Sequence, residues 1–143
     1  MSLVTIRDLA VSFDGVPALR GVDLDIAPGG AVGMVGESGC GKSVTWLAAL
    51  GLLPGRARVT GRVALDGQEI LAAPPATLDR VRGGRIGMIF QDPASSLNPV
   101  HRLGAQVAEA LRLHRGMTGG AARAEAKRLF DQVGIPDAAR RLD

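Results

Sequence analysis

The chain has 143 residues, of which 46% are apolar, and its 17 basic and 14 acidic side chains give a net charge of +3. This composition excludes a disordered chain, and the length is typical of one folded domain. No run of 18 apolar residues occurs, so we expect no membrane-spanning helix and no direct insertion into lipid. Basic residues are not clustered and only four side chains are aromatic, which argues against nucleic-acid binding.

The first third of the chain predicts strands followed by a helix. Residues 4–26 alternate between apolar and polar side chains, as half-buried strands do. After a Pro-Gly-Gly turn, residues 31–35 form a short continuous apolar run, which is typical of a strand buried on both faces. Residues 42–53 are strongly apolar over helical length, and Pro54-Gly55 is expected to end that helix.

The middle of the chain predicts a hairpin and a second buried strand. Residues 59–70 read as two strands joined at Asp66-Gly67, a dipeptide that favours a tight turn. Residues 72–75 contain two prolines and are expected to be a linker. Residues 86–90 form another apolar run that is short enough to be a buried strand.

The last third predicts helices. Apolar residues recur at helical spacing over 103–114 and again over 122–133, with Thr118 as the expected N-cap of the second helix. We therefore divide the chain into a β-rich part with a helix, residues 1–91, and a helical part, residues 92–143.

The most specific motif follows the first buried run and precedes the first helix. It fits G-x-x-x-x-G-K-[ST], the P-loop, and consists of Gly36, Glu37, Ser38, Gly39, Cys40, Gly41, Lys42 and Ser43. Its glycines let successive backbone N–H groups, continuing to that of Val44, point into one hollow that binds phosphate. Lys42 is expected to contact the β- and γ-phosphates, and the Ser43 hydroxyl to hold Mg²⁺. The alternative is an ordinary glycine-rich loop.

Two further segments narrow the class of P-loop protein to which the chain could belong. Phe13 stands at the end of a predicted strand, before the P-loop, and Gln91 lies in the segment Phe90-Gln91-Asp92-Pro93-Ala94-Ser95-Ser96-Leu97-Asn98-Pro99. Together with the P-loop these segments resemble the nucleotide-binding subunits of ATP-binding cassette (ABC) transporters. The segment from Gln91 onward is most similar to the dipeptide, oligopeptide and nickel importer branch.

The resemblance implies a fold and a set of functional residues. The fold would be α/β: a P-loop NTPase core of the ABC ATPase type, with an N-terminal antiparallel β-subdomain and the start of a helical subdomain. Phe13 would stack on the adenine of ATP, and Gln91 would reach Mg²⁺ and the attacking water. From the residues alone, Phe13 is also compatible with a hairpin core position, and Gln91 with a polar cap of a strand end.

The resemblance also implies partners and a location. ABC importer subunits of this kind bind permease subunits that span the membrane, and they pair head to tail with a second ATP-binding subunit. The chain would then be a transport-coupled ATPase in the cytoplasm, peripheral on the inner face of the cell membrane. The solute would be a di- or oligopeptide, with nickel as the next choice.

The resemblance stops before the catalytic half of the family pattern. No Leu-Ser-Gly-Gly-Gln signature occurs, and no apolar strand ends in Asp-Glu, so the chain contains no catalytic base. We expect a truncated family member that binds ATP and Mg²⁺ without efficient hydrolysis. The alternatives are a stand-alone nucleotide-binding module and a P-loop kinase whose basic lid would use Arg123, Lys127 and Arg128.

Overall fold

The structure is a computed structural model, and it describes residues 2–92 and 97–142. The chain forms two compact units, Met1–Arg85 and Ile86–Asp143. The functional division predicted at residue 91 stays a prediction.

The first unit contains a four-stranded antiparallel sheet. Its strands are β1 (Val4–Phe13), β2 (Val16–Ile26), β3 (Ala57–Leu65) and β4 (Gln68–Glu69), in the spatial order β2-β1-β3-β4. The alternation over residues 4–26 and the hairpin over residues 59–70 are therefore confirmed as strands. β1 pairs with β2 on one side and with β3 on the other.

Tight turns at Asp-Gly dipeptides join two neighbouring strand pairs. At the turn between β3 and β4, Asp66 and Gly67 both have positive φ, 51° and 77°. The turn between β1 and β2 has the same form, with φ of 49° at Asp14 and 84° at Gly15. Two successive left-handed residues give the turn type whose twist matches that of the strands, and aspartate and glycine tolerate that conformation best.

Two helices complete the first unit. They are α1 (Lys42–Ala49) and α2 (Pro75–Val81), and α1 packs against β1 and β2. α1 ends earlier than Pro54-Gly55 suggested, because Gly51 already has a left-handed φ of 61°. α2 was not predicted; its first residue, Pro75, has a fixed φ that suits the start of a helix. The buried apolar side chains of this unit come from the strands, from the two helices and from residues directly after them: Ile6, Leu9, Val11, Leu19, Ala48, Ala49, Leu50, Val63, Ala64, Leu65, Ile70 and Val81.

The two buried strands that the sequence predicted are absent from the described residues. Residues 31–37 form no strand, and Val35 is 93% exposed. Residues 87–90 likewise belong to no strand, and Ile89 is 99% exposed. A strand buried on both faces needs hydrogen-bonded neighbours along its edges, and no such neighbour lies beside either segment in the described part of the chain. Apolar composition alone does not supply these backbone partners.

The second unit is helical. It contains α3 (Leu103–Arg115), α4 (Gly119–Gln132) and α5 (Ala138–Arg141), so both predicted helices are confirmed and α5 is an addition. Thr118 is the N-cap residue of α4, as predicted, although its side chain makes no capping hydrogen bond. The core of the second unit consists of Leu111, Ala122, Ala126, Phe130, Ala138 and Leu142.

Over the described residues, every helix is too short or too polar to cross a bilayer.

Candidate nucleotide-binding site

The P-loop motif forms an exposed loop that runs directly into α1. Gly39 and Gly41 have left-handed φ angles of 83° and 99°, and Gly41 is the N-cap residue of the helix. Residues with side chains rarely adopt this conformation, so the chain reverses here because glycines occupy both positions. The reversal turns the loop backbone toward the positive end of α1.

The base of the loop is held against the sheet. Gly41 is buried, and a Cβ atom at this position would collide with the side chain of Leu19 on β2. Thr45 is 2% exposed, and both its N–H and its hydroxyl donate to the Gly41 carbonyl, at 2.9 and 3.0 Å. These contacts fix the point at which the loop enters the helix.

Lys42 folds back over the loop instead of extending into solvent. Its ammonium donates to the carbonyl oxygens of Gly36 at 2.6 Å and Glu37 at 2.8 Å, and it lies 3.4 Å from the Cys40 sulfur. A lysine ammonium has three N–H donors, and these three neighbours are a matching set of acceptors. The charge is thereby held against the backbone of the loop.

Cys40 and Gly36 fit each other sterically. A Cβ atom on Gly36 would lie 2.6 Å from the Cys40 Sγ, so the thiol fills the space that a side chain at residue 36 would need. Cys40 itself is exposed, and its N–H donates to the Glu37 carbonyl at 3.3 Å. The loop is therefore closed by local contacts around the Lys42 ammonium.

Several backbone N–H groups of the loop remain available to a ligand. Within residues 2–92 and 97–142, the N–H groups of Gly39, Gly41, Lys42 and Ser43 have no hydrogen-bond acceptor. Unpaired N–H groups at a glycine turn and at a helix N-terminus form a concave site for anions. The donor set fits a phosphate chain.

Ser43, one of the two residues expected to bind Mg²⁺, lies at the start of α1. Ser43 is exposed in the first turn of the helix, and Val44 follows it half-buried. Among the described residues, no cluster of histidine, cysteine or acidic side chains could hold a metal by itself. A magnesium ion here would need oxygen ligands from the phosphates beside the Ser43 hydroxyl.

The far end of α1 is held by an arginine that sequence reasoning missed. Arg82, which follows α2, donates from Nε to the Leu50 carbonyl and from Nη2 to the Gly51 carbonyl, both at 2.8 Å. These acceptors lie just beyond the last residue of α1, where helix carbonyls lack intrahelical partners. No local sequence signal indicates this contact, because Arg82 lies 31 residues from Gly51.

Phe13 lies at the end of β1, half-buried, and pairs with Val16 and Ala57. Val11, two residues earlier, pairs with Leu19, the residue that contacts Gly41. Because side chains two residues apart on a strand share a face, Phe13 lies on the face of the sheet that holds the P-loop. Its stacking on adenine stays a prediction.

Gln91 belongs to the second unit, where it is exposed and outside any helix or strand. The next part of its segment, residues 93–96, lies outside the described residues. Farther on, the side-chain amide of Gln106 binds the turn at Asn98. Its Oε1 accepts the Asn98 N–H at 2.9 Å, and its Nε2 donates to the carbonyls of Asn98 and His101, both at 3.0 Å. The predicted role of Gln91 stays a prediction.

Two of the three basic residues considered for a kinase lid form ion pairs on α4. Lys127 pairs with Asp131 at 2.7 Å, and Arg128 pairs with Glu125 at 2.7 Å. Both pairs lie within one helix.

The loop, its lysine and the following helix form a P-loop on an α/β fold. Over residues 19–143 the chain matches the family model described as ABC transporter. The chain belongs to the ABC transporter family, in its ATP-binding domain, and the resemblance drawn from the sequence is confirmed.

The curated relatives are peptide-import proteins by name. The chain is 46% identical to the oligopeptide transport ATP-binding protein OppD of Mycobacterium tuberculosis, over 97% of the chain and 24% of that protein. It is 44% identical to a putative peptide import ATP-binding protein of Brucella abortus, over 99% of the chain and 44% of the relative. For OppD of Escherichia coli the identity is 41%, over 99% and 43%. The chain thus spans less than half the length of these relatives.

Proposed function

We propose that this chain binds ATP with Mg²⁺ through the P-loop and forms part of the ATPase subunit of a peptide importer. The observation that carries the proposal is the position of the Lys42 ammonium, 2.6 Å from the Gly36 carbonyl. It lies in a loop where the N–H groups of Gly39, Gly41, Lys42 and Ser43 have no acceptor in the described part of the chain. Cationic and N–H donors lie together in one short loop, and a triphosphate supplies acceptors for both.

Phosphate binding requires a rearrangement of the lysine. The Gly36 and Glu37 carbonyls now accept from its ammonium, and phosphate oxygens carry more negative charge than carbonyl oxygens. On phosphate binding we expect the ammonium to shift its donors toward the ligand. Ser43, one residue farther along α1, contributes its hydroxyl to the Mg²⁺ that bridges the phosphates.

Two residues outside the P-loop are proposed to complete the site. Phe13 stacks on the adenine ring, and its position on the P-loop face of the sheet supports this role. Gln91 contacts Mg²⁺ and the attacking water, a role that rests on the resemblance of its sequence segment.

The wider role follows from the relatives. Their names describe peptide and oligopeptide import, which supports a peptide as the transported solute. We propose that the whole protein hydrolyses ATP, binds membrane-spanning permease subunits and a second ATP-binding subunit, and works at the cytoplasmic face of the membrane. The 143 residues contain no Asp-Glu pair that could act as Walker B and base. We expect this chain to bind ATP without efficient turnover.

The test compares the two lysines of the chain. Trp46 lies half-buried on α1, four residues after Lys42, so its emission serves as the reporter of an ATP–Mg²⁺ titration. Lys42→Ala removes charge-assisted hydrogen bonds and should weaken affinity by about tenfold to hundredfold. Lys127→Ala removes the same charge from α4 and should leave affinity unchanged. Equal affinities of Lys42→Ala and the parent chain would remove the lysine from the proposed site.

A further inference from the structure

The second unit contains a cavity that the nucleotide site does not use. It lies between α3 and α4 and has a volume of about 500 Å³. Its lining is mostly apolar and includes Ala108, Met117, Ala122, Ala126 and Leu142. Ala122, Ala126 and Leu142 are buried parts of the helical core, so the floor of the cavity is preformed. Cavities of this size between helices, apolar with few polar groups, commonly bind small molecules.

The charges around the cavity are predominantly positive. Arg102, Arg112 and Arg123 line it together with one carboxylate, Glu109. In the described part of the chain, the guanidinium groups of Arg102 and Arg112 form no ion pair and no hydrogen bond. Arg102 and Arg112 against the single carboxylate of Glu109 leave a positive excess, which favours an anion over a neutral or cationic ligand.

The charges and the apolar floor lie at one site, which restricts the ligand further. A small inorganic anion would leave the floor around Ala126 unfilled, and a neutral hydrocarbon would leave the arginines without acceptors. A planar guanidinium binds a carboxylate through two parallel hydrogen bonds. An apolar chain that ends in a carboxylate satisfies both parts of the site.

We propose that the cavity between α3 and α4 binds an anionic amphiphile, a medium-length aliphatic chain with one terminal carboxylate. The aliphatic chain lies on the alanines and Leu142, and the carboxylate is held at the rim by Arg112. Glu109, one helical turn before Arg112, opposes the carboxylate and limits affinity. This site is independent of the P-loop and of the proposed ATP binding.

The probe for this site is decanoate, titrated into the 143-residue chain by calorimetry below its micelle concentration. Decanol and decylammonium have the same chain with a neutral and a positive head, and both should bind at least about tenfold more weakly, because they lose the charge-assisted hydrogen bonds. No saturable binding of decanoate, or equal binding of all three probes, would overturn the proposal.

A pair of charge variants one turn apart on α3 gives the sharper test. Arg112→Gln should weaken decanoate binding by about tenfold, whereas Glu109→Gln should strengthen it a few-fold. Arg140→Gln, a change outside the lining of this cavity, serves as the matched control and should have no effect. Identical affinities of the three variants would overturn the assignment of the headgroup.

A filling variant tests the apolar part of the cavity. Ala105 is exposed and lines the opening, so Ala105→Leu should obstruct the groove without disturbing the core. We expect loss of decanoate binding with unchanged ATP affinity measured through Trp46. If anionic phospholipid vesicles bind the chain while decanoate does not, or if the groove is occupied by a second copy in a concentration-dependent dimer, the proposal is wrong.

Discussion

Leu19 of β2 occupies the space that a side chain on Gly41 would need. This contact joins the antiparallel sheet to the start of the P-loop helix, and it places the glycine turn of the P-loop at a defined distance from the strands. The fit depends on a residue with no side chain, because Gly41 is both buried and left-handed.

Substitution of Gly41 should therefore be far more costly than substitution of Gly39. Both residues have left-handed φ, but a Cβ on Gly39 meets nothing within 4 Å, whereas one on Gly41 collides with Leu19. Gly39→Ala should cost about 1 to 2 kcal/mol of unfolding free energy through backbone strain. Gly41→Ala should cost about 2 to 5 kcal/mol, because overpacking adds to the strain. Urea unfolding measures both; equal losses would show that Leu19 yields freely.

Cys40 should be a site at which a bulky thiol reagent blocks nucleotide binding. Its exposed sulfur lies 3.4 Å from the Lys42 ammonium and against Gly36, so an attached group enters the space around the loop carbonyls. Cys40 is the single cysteine, which makes labelling unambiguous. Reaction with a maleimide should abolish the Trp46 response to ATP, and bound ATP should slow the reaction. Complete labelling with undiminished ATP affinity would contradict this expectation.

Arg82 should stabilise the P-loop helix from its far end. Arg82→Ala leaves the Leu50 and Gly51 carbonyls without their charged donor and should cost about 1 to 3 kcal/mol of unfolding free energy. Arg80→Ala on α2 is the matched control, because Arg80 bonds only within its own helix. Similar losses in the two variants would show that the contact to α1 contributes little.

Glu125 should make the stability of the helical unit depend on pH in the acid range. Its carboxylate accepts from Arg128 at 2.7 Å and from Arg115 at 2.9 Å, and the hydrogen bonds from Arg128 in particular hold its pKa below the ordinary value. A lowered folded-state pKa means that the unfolded chain binds the proton more readily. The stabilisation is therefore fully present above the ordinary glutamate pKa of about 4.3 and is lost as the pH falls through the lower folded-state pKa.

The measurement is the free energy of unfolding as a function of pH, with Glu125→Gln as the variant. The variant should be less stable than the parent chain near neutral pH, and the difference should shrink below about pH 4 as the parent carboxylate gains its proton. Glu109→Gln removes a carboxylate that forms no ion pair in the described residues and should change this pH dependence little. A constant difference between Glu125→Gln and the parent at all pH values would exclude the mechanism.

Local patterns predicted the elements whose stability is local. Asp66-Gly67 indicated a hairpin because two residues alone set that turn, and the helical spacing over 103–114 indicated α3 because helix hydrogen bonds lie within one segment. The P-loop was likewise predicted from a local pattern. Its function depends on glycines, a lysine and a hydroxyl residue that are adjacent in sequence.

Patterns failed where the partner lies elsewhere in the chain. Residues 31–35 and 86–90 have the composition of buried strands, yet a strand also needs neighbours, and apolar content says nothing about which backbone will pair with it. Arg82 is a further case, because the carbonyls that it caps precede it by some thirty residues.

The order of residues by itself thus determined that the chain has a P-loop motif, an antiparallel start and a helical end. Only the tertiary structure decided that Leu19 excludes a side chain at Gly41, that Arg82 caps the carbonyls after α1, and that α3 and α4 line an open cavity with arginines at its rim. The physical reason is the range of the interactions. Turn and helix preferences act within a few residues, whereas packing and capping depend on which distant segments the fold brings together.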